Sequence, residues 1–230
     1  MSSFLALCLL LQAESAEETF KKIEETLTAA KSVRVHFVWD GATKTDMEGK
    51  VDARGNVLLK EGNRVNLAAS VTERTQTSEL RIVSDGKTVK SKLGPKRMIE
   101  SETPKHFEAG LKMALHRLGA MQAVLIAHKI CMLDPSEQEE ALDLGKRPPL
   151  TDFRVGPDDG EWKTMTYKIT PDGSESSAEV RLWYTPEGYK LVKRTITIKK
   201  PSESVFTEIY KVWSVDAELG NEEFNLPSVK

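Results

Sequence analysis

The cysteines and histidines are the side chains best suited to catalysis or metal binding, and they are few. The chain has two cysteines and four histidines, which are Cys8, Cys131, His36, His106, His116 and His128. His128 and Cys131 are three residues apart, a spacing that places a thiol and an imidazole on one face of a helix. Such a pair can act as a nucleophile with its base, but a buried and unreactive cysteine is the commoner arrangement. No His-x-x-x-His or Cys-x-x-Cys spacing is present, so we predict no metal ion and no cofactor.

Carboxylates are concentrated in the segment 156–161, which reads Gly-Pro-Asp-Asp-Gly-Glu. Asp158, Asp159 and Glu161 could bind calcium weakly, but the ligand spacing of an EF-hand loop is missing, and a solvated hairpin loop explains the composition. The segment also lacks the Gly-Lys-Ser/Thr ending of a phosphate-binding loop, and the chain has no Gly-x-Ser-x-Gly motif. We therefore predict no catalytic residues and a protein that is not an enzyme.

The charge, the cysteine content and the length of the chain limit the kinds of protein that it can be. Lys and Arg number 33 against 35 Asp and Glu, and the two signs are interspersed, so nucleic acid is not a predicted partner. The two cysteines lie in very different contexts, which argues against a disulfide between them. With 230 residues, 39% of them hydrophobic, the chain is long enough for one domain with a sizeable core or a partly open interior.

The N-terminal residues differ in composition from the rest of the chain. Residues 4–11 form an apolar run, and Ala13 and Ser15 are small residues at the −3 and −1 positions of a cleavage site before Ala16. The pattern predicts a signal peptide over residues 1–15, although no Lys or Arg precedes the run. We therefore predict that the protein is exported.

Cys8 raises the alternative of a lipid anchor. Leu7, which precedes it, is bulkier than the residue usual at that position, and the apolar run continues past the cysteine. Both observations favour a residue that is discarded with the signal peptide. The run is also too short to span a bilayer, which takes about 20 apolar residues. We predict a single domain over residues 16–230 that is peripheral to membranes and does not span them.

The elements after this leader follow two periodicities. Ser15 and Glu18 form a capping box, and apolar residues at spacings of three and four predict a helix to about Lys31. Apolar residues that alternate with polar ones predict strands over residues 33–39, 65–71, 164–169, 180–184, 189–199 and 205–213. The links between strands are too short for parallel crossovers, so we expect an antiparallel meander. A sheet with one apolar face must be covered by helices or curl toward a barrel.

A helical insert over residues 103–147 divides the strands into two halves. Thr103-Pro104 is an N-cap followed by proline, and apolar residues then recur on one helical face. Ser136 and Glu139 form a second capping box, for a short helix that ends at Gly145. We predict that the insert covers the sheet as a lid, through Phe107, Leu111, Leu115, Leu118 and Leu125.

Five short motifs occur in a collinear order along the chain. They are Asn63-Arg64, Ile82-Val83-Ser84-Asp85-Gly86-Lys87-Thr88, Val124-Leu125-Ile126-Ala127, Asp152-Phe153-Arg154-Val155 and Phe224-Asn225-Leu226-Pro227. The second is the most specific, because Asp-Gly between alternating residues favours a tight hairpin in which both central residues have positive φ. In their order and spacing, from about Ala16 to Pro227, the motifs resemble the periplasmic outer-membrane lipoprotein carriers, the LolA-like proteins.

The resemblance implies a fold and a function. Members of this family share an incomplete antiparallel β-barrel, or half-barrel, that is covered by helices, so we expect an α+β protein that is mostly β. In the carriers the apolar interior holds the acyl chains of a lipoprotein. The resemblance therefore predicts a periplasmic carrier or binding protein whose ligand is a lipid or a lipoprotein acyl chain.

Apolar residues on the predicted strands are the candidates for contact with such a ligand. They are Val35, Phe37, Trp39, Leu67, Tyr167, Trp183 and Trp213. Each methylene removed from water contributes about 0.8 kcal/mol, so one long acyl chain would be held without any catalytic group. The alternative is that the same residues pack against the helices as a solid core. The lid hypothesis predicts that Leu125→Asp abolishes lipid retention while the sheet stays folded.

One departure from the family pattern affects the lid. In the carriers a basic residue and a proline precede the Asn of the first motif, and an arginine there ties down the helices, but this chain has Glu61-Gly62. Lys60 and Arg64 are the remaining candidates for such a latch. The same departure suits a relative that kept the fold and changed its task. The alternative function is a sensor or scaffold of the cell envelope that binds a protein partner and transports nothing.

Overall fold

The computed structural model describes residues 14–43, 49–142, 149–170, 177–199 and 203–227. The apolar run of the predicted signal peptide, Cys8 and the last residues of the predicted insert lie outside the described residues.

A single antiparallel sheet of 11 strands forms most of the part of the chain that the structure describes. The strands are β1 Ser32–Thr43, β2 Gly49–Lys60, β3 Arg64–Glu73, β4 Gln76–Asp85, β5 Thr88–Leu93, β6 Ile99–Glu102, β7 Leu150–Asp159, β8 Trp162–Ile169, β9 Ala178–Tyr184, β10 Leu191–Ile198 and β11 Ser204–Val215. Their spatial order is β6-β5-β4-β3-β2-β1-β11-β10-β9-β8-β7, so each half of the chain is a meander. The halves join where β1 pairs with β11, and the sheet stays open at β6 and β7.

Within the described residues four α-helices accompany the sheet, and their bounds are α1 Ala16–Ala29, α2 Phe107–Arg117, α3 Ala120–Ile130 and α4 Pro135–Leu142. The last three connect one edge strand, β6, to the other, β7. The chain must therefore cross the sheet between its two edges. None of the helices that the structure describes has the length and hydrophobicity to cross a bilayer. The predicted fold class, a mostly β half-barrel that is open and covered by helices, is confirmed.

The core lies between the helices and one face of the sheet, which we call the inner face. Val35, Leu67 and Tyr167 on this face have no exposed surface, and Phe20 and Leu27 of α1 are buried against the same cluster. The alternation of buried and half-buried residues along β3 is the predicted period of two. The capping box at Ser15 is also present, since the Glu18 amide donates to the serine hydroxyl at 3.2 Å.

The hairpin at Asp85-Gly86 is present, with a different turn from the predicted one. Gly86 has a φ of 98°, but Asp85 is not among the residues with positive φ. Instead, the Asp85 carboxylate accepts hydrogen bonds from the amides of Lys87 and Thr88 at 2.8 and 2.9 Å. The side chain thus supplies the turn geometry that the backbone alone was expected to provide.

The helical insert begins later than predicted and is broken in the middle. The first helix starts at Phe107 after a left-handed His106, whereas the hydroxyl of Thr103, the predicted N-cap, is 2.7 Å from that of Ser84. The helix then ends at Arg117 with Leu118 as its C-cap, and Gly119, with a φ of 106°, is the N-cap of the next one. The sequence predicts one helical face that runs through the insert, but after this break the residues of α3 do not continue the face of α2.

The C-terminal segment, residues 217–227, crosses the opposite face of the sheet, which we call the outer face. Its 3-10 helix, Asn221–Phe224, buries Phe224 against Leu58 of β2. Lys60 donates to the Leu219 carbonyl at 2.7 Å, and Arg64 donates to the Asn221 side chain at 2.8 Å. The two predicted latch residues therefore bind this segment and do not contact the helices in these hydrogen bonds.

Candidate ligand-binding site

The structure places six of the seven predicted ligand-facing residues on the inner face. Those six are Val35, Phe37, Trp39, Leu67, Tyr167 and Trp213. All of them are buried except Trp39, which is half-buried. The helices supply the opposing surface, because Phe107, Leu111 and Leu115 have no exposed area. Most of the inner face that the structure describes is therefore a packed core.

Trp183 is the exception, since its side chain lies on the outer face. It sits between Leu182 and Tyr184, which both belong to the core cluster, and successive residues of a strand point to opposite faces. Its indole nitrogen donates to Asp159 at 2.8 Å, and the cations of Arg181 and Lys193 lie 4.8 and 4.5 Å from its ring centroid. Its inclusion among the ligand-facing residues was wrong.

An apolar pocket remains at the end of the inner face beside the α2–α3 turn. Its volume is about 170 Å³. It is lined by Trp39, Leu118, Gln122, Ile169, Ile196, Ile198 and Phe206. Apart from Ile169 these residues are half-buried, so the pocket opens to the surface. The single polar side chain of the lining is the amide of Gln122.

Two stacked aromatic rings form one wall of this pocket. The ring centroids of Trp39 and Phe206 are 5.3 Å apart and the rings are inclined by 13°. Gly41 makes the stack possible, because a Cβ atom at this position would lie 2.7 Å from the Trp39 ring and 2.9 Å from the Phe206 ring. The wall is therefore flat, apolar and held by the strand beneath it.

Sequence reasoning identified Trp39 and Leu118 but missed the rest of the pocket. Ile196, Ile198 and Phe206 do lie within predicted strands, and their alternation marks them as facing one side. What the sequence does not carry is the register that brings β10 beside β11 and Phe206 opposite Ile196. The residues at the open end of a face cannot be distinguished from those under the helices without that register.

Two buried charged side chains bind the helices to the sheet next to the pocket. Arg194 and Glu208 are opposite each other in the register of β10 and β11, and their exposed fractions are 0% and 2%. Arg194 donates to the carbonyls of Leu115, at 3.4 Å, and His116 at the end of α2. A cation at a helix C-terminus is favourable, because the last carbonyls of a helix are unpaired and carry partial negative charge.

Glu208 makes the complementary contact with the next helix. Its carboxylate accepts hydrogen bonds from the amides of Ala120 and Met121, at 2.9 and 2.8 Å, at the start of α3. Tyr210 donates a third, at 2.6 Å. We call Arg194 and Glu208 the clamp. Between them they pair the free backbone groups on both sides of the α2–α3 turn, which have no partner within their own helices.

Gly119 allows the turn to approach the clamp so closely. A Cβ atom there would lie 2.5 Å from a Glu208 oxygen and 2.9 Å from an Arg194 nitrogen, and the backbone is left-handed. Tyr167 adds a further bond from the sheet, because its hydroxyl donates to the Arg117 carbonyl at 2.8 Å. The sheet thus holds the helices by polar contacts between residues distant in sequence, which no local pattern predicts.

A neutral histidine is buried against this arrangement. His116 has no exposed surface, and its ring centroid is 4.2 Å from that of Phe20 in α1. Burial lowers the pKa of His116 well below its usual value, and the positive charges of Arg194 and Arg117 lower it further. The imidazole therefore remains uncharged and acts as part of the core.

The His128–Cys131 pair does not form a thiol site. His128 shares a hydrogen bond of 2.8 Å with the Ser91 hydroxyl. Cys131 is 5% exposed, and burial raises the pKa of its thiol to about 12. Within the described ranges, no three His, Cys, Asp or Glu side chains are grouped as metal ligands.

Comparison with known proteins returns similar folds at low identity. No protein-family profile and no curated protein matches the chain. The chain is similar to LprF from Mycobacterium bovis, with 13% identity over 93% of this chain and 97% of that one and a TM-score of 0.42. It is also similar to a LolA superfamily protein from Nitrosomonas europaea, with 14% identity over 93% and 99% of the two chains and a TM-score of 0.36. The second of these belongs to the family that the sequence motifs resemble.

Proposed function

We propose that this protein binds the apolar chain of a lipid and that the pocket beside the α2–α3 turn receives the end of that chain. The observation that carries the proposal is an open pocket of about 170 Å³ with six apolar side chains and one amide in its lining. An engineered cavity of about 150 Å³ in another protein binds benzene, which has six carbon atoms. Burial of about six methylenes contributes roughly 5 kcal/mol before the costs of ordering the chain are subtracted.

A complete acyl chain requires more space than this pocket has. Sites for ligands of drug size measure about 300 to 1,000 Å³. The additional space would have to open under α2 and α3, where Leu111 and Leu115 pack on the sheet. Binding of a long chain therefore requires the helices to move away from the inner face, against the hydrogen bonds of Arg194 and Glu208.

The cellular role that we propose follows from this ligand. An exported, periplasmic protein that holds a lipid or a lipoprotein acyl chain acts as a carrier or a binding protein and needs no catalytic residue. The apolar run at residues 4–11 supports export. An envelope protein that supplies or receives the lipid is the partner that such a carrier requires.

Filling the pocket tests the proposal. Ile196→Trp adds volume at the pocket, whereas Leu125→Trp adds the same side chain on α3, where Leu125 is 42% exposed. We expect calorimetric titration with a monomeric medium-chain fatty acid to give at least about a tenfold weaker affinity for Ile196→Trp, which is about 1.4 kcal/mol, and an unchanged affinity for Leu125→Trp.

Two results would contradict the proposal. One is that the unmodified protein binds no fatty acid and yields no lipid when native preparations are extracted and analysed by mass spectrometry. The other is equal affinity in the two tryptophan variants, which would place the ligand elsewhere. Thermal unfolding of both variants shows whether either one has lost its fold.

A second candidate function is a scaffold that binds a protein. It is favoured by the surface of α3 and the turn after it, where Leu125 and Met132 are 42% and 63% exposed. A pull-down from an envelope extract distinguishes the two functions. The scaffold would be supported, and the carrier opposed, if the pull-down recovers one protein and no lipid. The double variant Leu125→Asp with Met132→Asp should then no longer recover that protein.

A further inference from the structure

A wide groove lies on the outer face of the sheet, away from the apolar pocket. It has a volume of about 1570 Å³ and extends over β4, β5 and the loop 94–98. The orientation of Arg81 shows that the groove is on the outer face, because its neighbours Leu80 and Ile82 are buried in the core while Arg81 itself is exposed. Lys92 is paired with Arg81 across the two strands and therefore points to the same side.

The groove is positively charged although the whole chain has a net charge of −2. Its lining contains the carboxylates of Glu79 and Glu100 and five cations, which are Arg81, Lys90, Lys92, Lys96 and Arg97. Lys90 pairs with Glu100 at 3.4 Å and donates to the Pro227 carbonyl at 3.3 Å.

The other four cations are available for a ligand. In the part of the chain that the structure describes, no carboxylate forms an ion pair with them, and all four are exposed. Like charges placed together without partners repel one another, so the arrangement favours an anion that lies among them.

Apolar residues lie between these charges. Met98 is half-buried in the lining, and Pro95 and Pro227 border the groove. Lys96 and Arg97 come directly before Met98 on the loop, so cationic groups and an apolar surface are adjacent. This combination matches the boundary between the head groups and the acyl chains of a lipid layer better than it matches a fully hydrated polyanion.

We propose that the groove docks the protein on a membrane surface by binding the phosphate head groups of anionic phospholipids. The inference does not depend on a ligand in the apolar pocket, because the two sites lie on opposite faces of the sheet. Each Lys or Arg near an anionic membrane contributes roughly fivefold to binding, so four free cations give a substantial but reversible association. Salt weakens it, because the Debye length is about 8 Å at physiological ionic strength.

Vesicle co-sedimentation tests the docking surface. The variant Lys96→Gln with Arg97→Gln removes two free cations from the loop, and the control Lys190→Gln with Lys211→Gln removes two exposed cations that do not line the groove. The vesicles contain one part phosphatidylglycerol to two parts phosphatidylcholine, or phosphatidylcholine alone. We expect the groove variant to bind the anionic vesicles at least about tenfold more weakly than the control, and neither protein to bind neutral vesicles.

Three results would overturn the inference. Equal binding of the groove variant and the control would show that the groove is not the contact surface. Binding of the unmodified protein to neutral vesicles as strongly as to anionic ones would show that charge is not its cause. Binding of inorganic phosphate or an acidic peptide by the groove without any binding to vesicles would assign it to another ligand. Fatty-acid titration of the same variants reports on the apolar pocket separately.

Discussion

At the scale of single residues, Arg194 and Glu208 have the largest consequences. Two ions without solvent contact each lose several kcal/mol of hydration free energy, which their mutual attraction offsets only if their remaining hydrogen-bonding groups are paired. Glu208 meets this condition with two helix amides and a tyrosine hydroxyl. Arg194 meets it in part, because its terminal nitrogens donate to two helix carbonyls while its Nε atom is buried without a hydrogen-bond partner. Their charges therefore fix where the helices sit on the sheet.

Replacement of Arg194 should be severely destabilising. Arg194→Met leaves the Glu208 carboxylate buried without a cation, and we expect the free energy of unfolding to fall by about 3 to 5 kcal/mol in chemical denaturation. Lys211→Met, on an exposed position of β11, should change it by no more than about 0.5 kcal/mol. A loss of less than about 1 kcal/mol for Arg194→Met would mean that the clamp contributes little to stability.

Cys131 should be unreactive until the protein unfolds. A thiol with a pKa of about 12 has only roughly one thiolate in ten thousand at pH 8, so alkylation of the folded protein should be slow. Mass spectrometry of the peptide that contains Cys131, with and without denaturant, measures the difference and separates this residue from Cys8. Fast labelling of the native protein would show that the thiol is accessible.

The same shift gives stability a dependence on pH. The pKa of the thiol is raised from 9.0 to about 12 in the folded protein, so the folded state holds the proton more tightly than the unfolded one. The contribution of this pKa difference to the free energy of unfolding is complete below pH 9 and is lost as the pH rises toward 12. Cys131→Ala should lack this part of the alkaline decline.

At the scale of elements, the α2–α3 turn decides which residues of the insert face the sheet. The sequence predicts one helical face that includes Leu115 and Leu125, and this is wrong because the helix breaks at Gly119. Leu115 is fully buried and Leu125 is 42% exposed. We now expect Leu125→Asp to leave both stability and lipid retention unchanged, the opposite of what the continuous lid predicted for retention.

Gly119→Ala should disturb this turn more than a glycine replacement elsewhere. The new Cβ atom would contact both charges of the clamp, in addition to the cost of a left-handed backbone. We expect a loss of about 2 to 4 kcal/mol in chemical denaturation, because buried charged hydrogen bonds are displaced. Gly188→Ala is the matched control, since its φ is 72° and a Cβ atom there would meet nothing within 4 Å. Equal losses in the two variants would show that backbone strain alone accounts for the effect.

At the scale of the whole molecule, the open sheet has a different covering on each face. The helices cover the inner face, and the C-terminal segment covers part of the outer one. That segment is held by Phe224 against Leu58 and by polar bonds from Arg34, Lys60 and Arg64. It therefore belongs to the folded domain and forms one border of the charged groove through Pro227.

Phe224→Ala tests the attachment of the C-terminal segment. Phe224 is 1% exposed, and truncation of a buried phenylalanine costs about 3 to 5 kcal/mol when it lies in a main core. Because the cluster around Phe224 is small, we expect a loss of about 1 to 3 kcal/mol and faster proteolysis of the chain after Val215. A variant that resists protease as well as the unmodified protein would show that the polar bonds suffice.

The sequence was sufficient for most of the elements and insufficient for their contacts. Alternation predicted strands such as β3 and β8, and the capping box predicted the start of α1, because these signals are local. The pattern does not single out β2, where Gly49 and Gly55 interrupt the apolar alternation. Arg194 could not be chosen among the 33 basic residues, because its importance arises from pairing across β10 and β11 and from the distant turn at Gly119.

The pairing of β1 with β11 also determines when the sheet can be completed during folding. Val33 pairs with Val215, so the centre of the sheet joins the first and the last of the described strands. Closing so long a loop is entropically costly, and non-local pairing of this kind slows folding. A chain synthesised only as far as β10 displays the unpaired edge of β1 to every other chain nearby, which is a route to aggregation. Among the described strands β11 is thus the one that both completes the sheet and covers the exposed edge of β1.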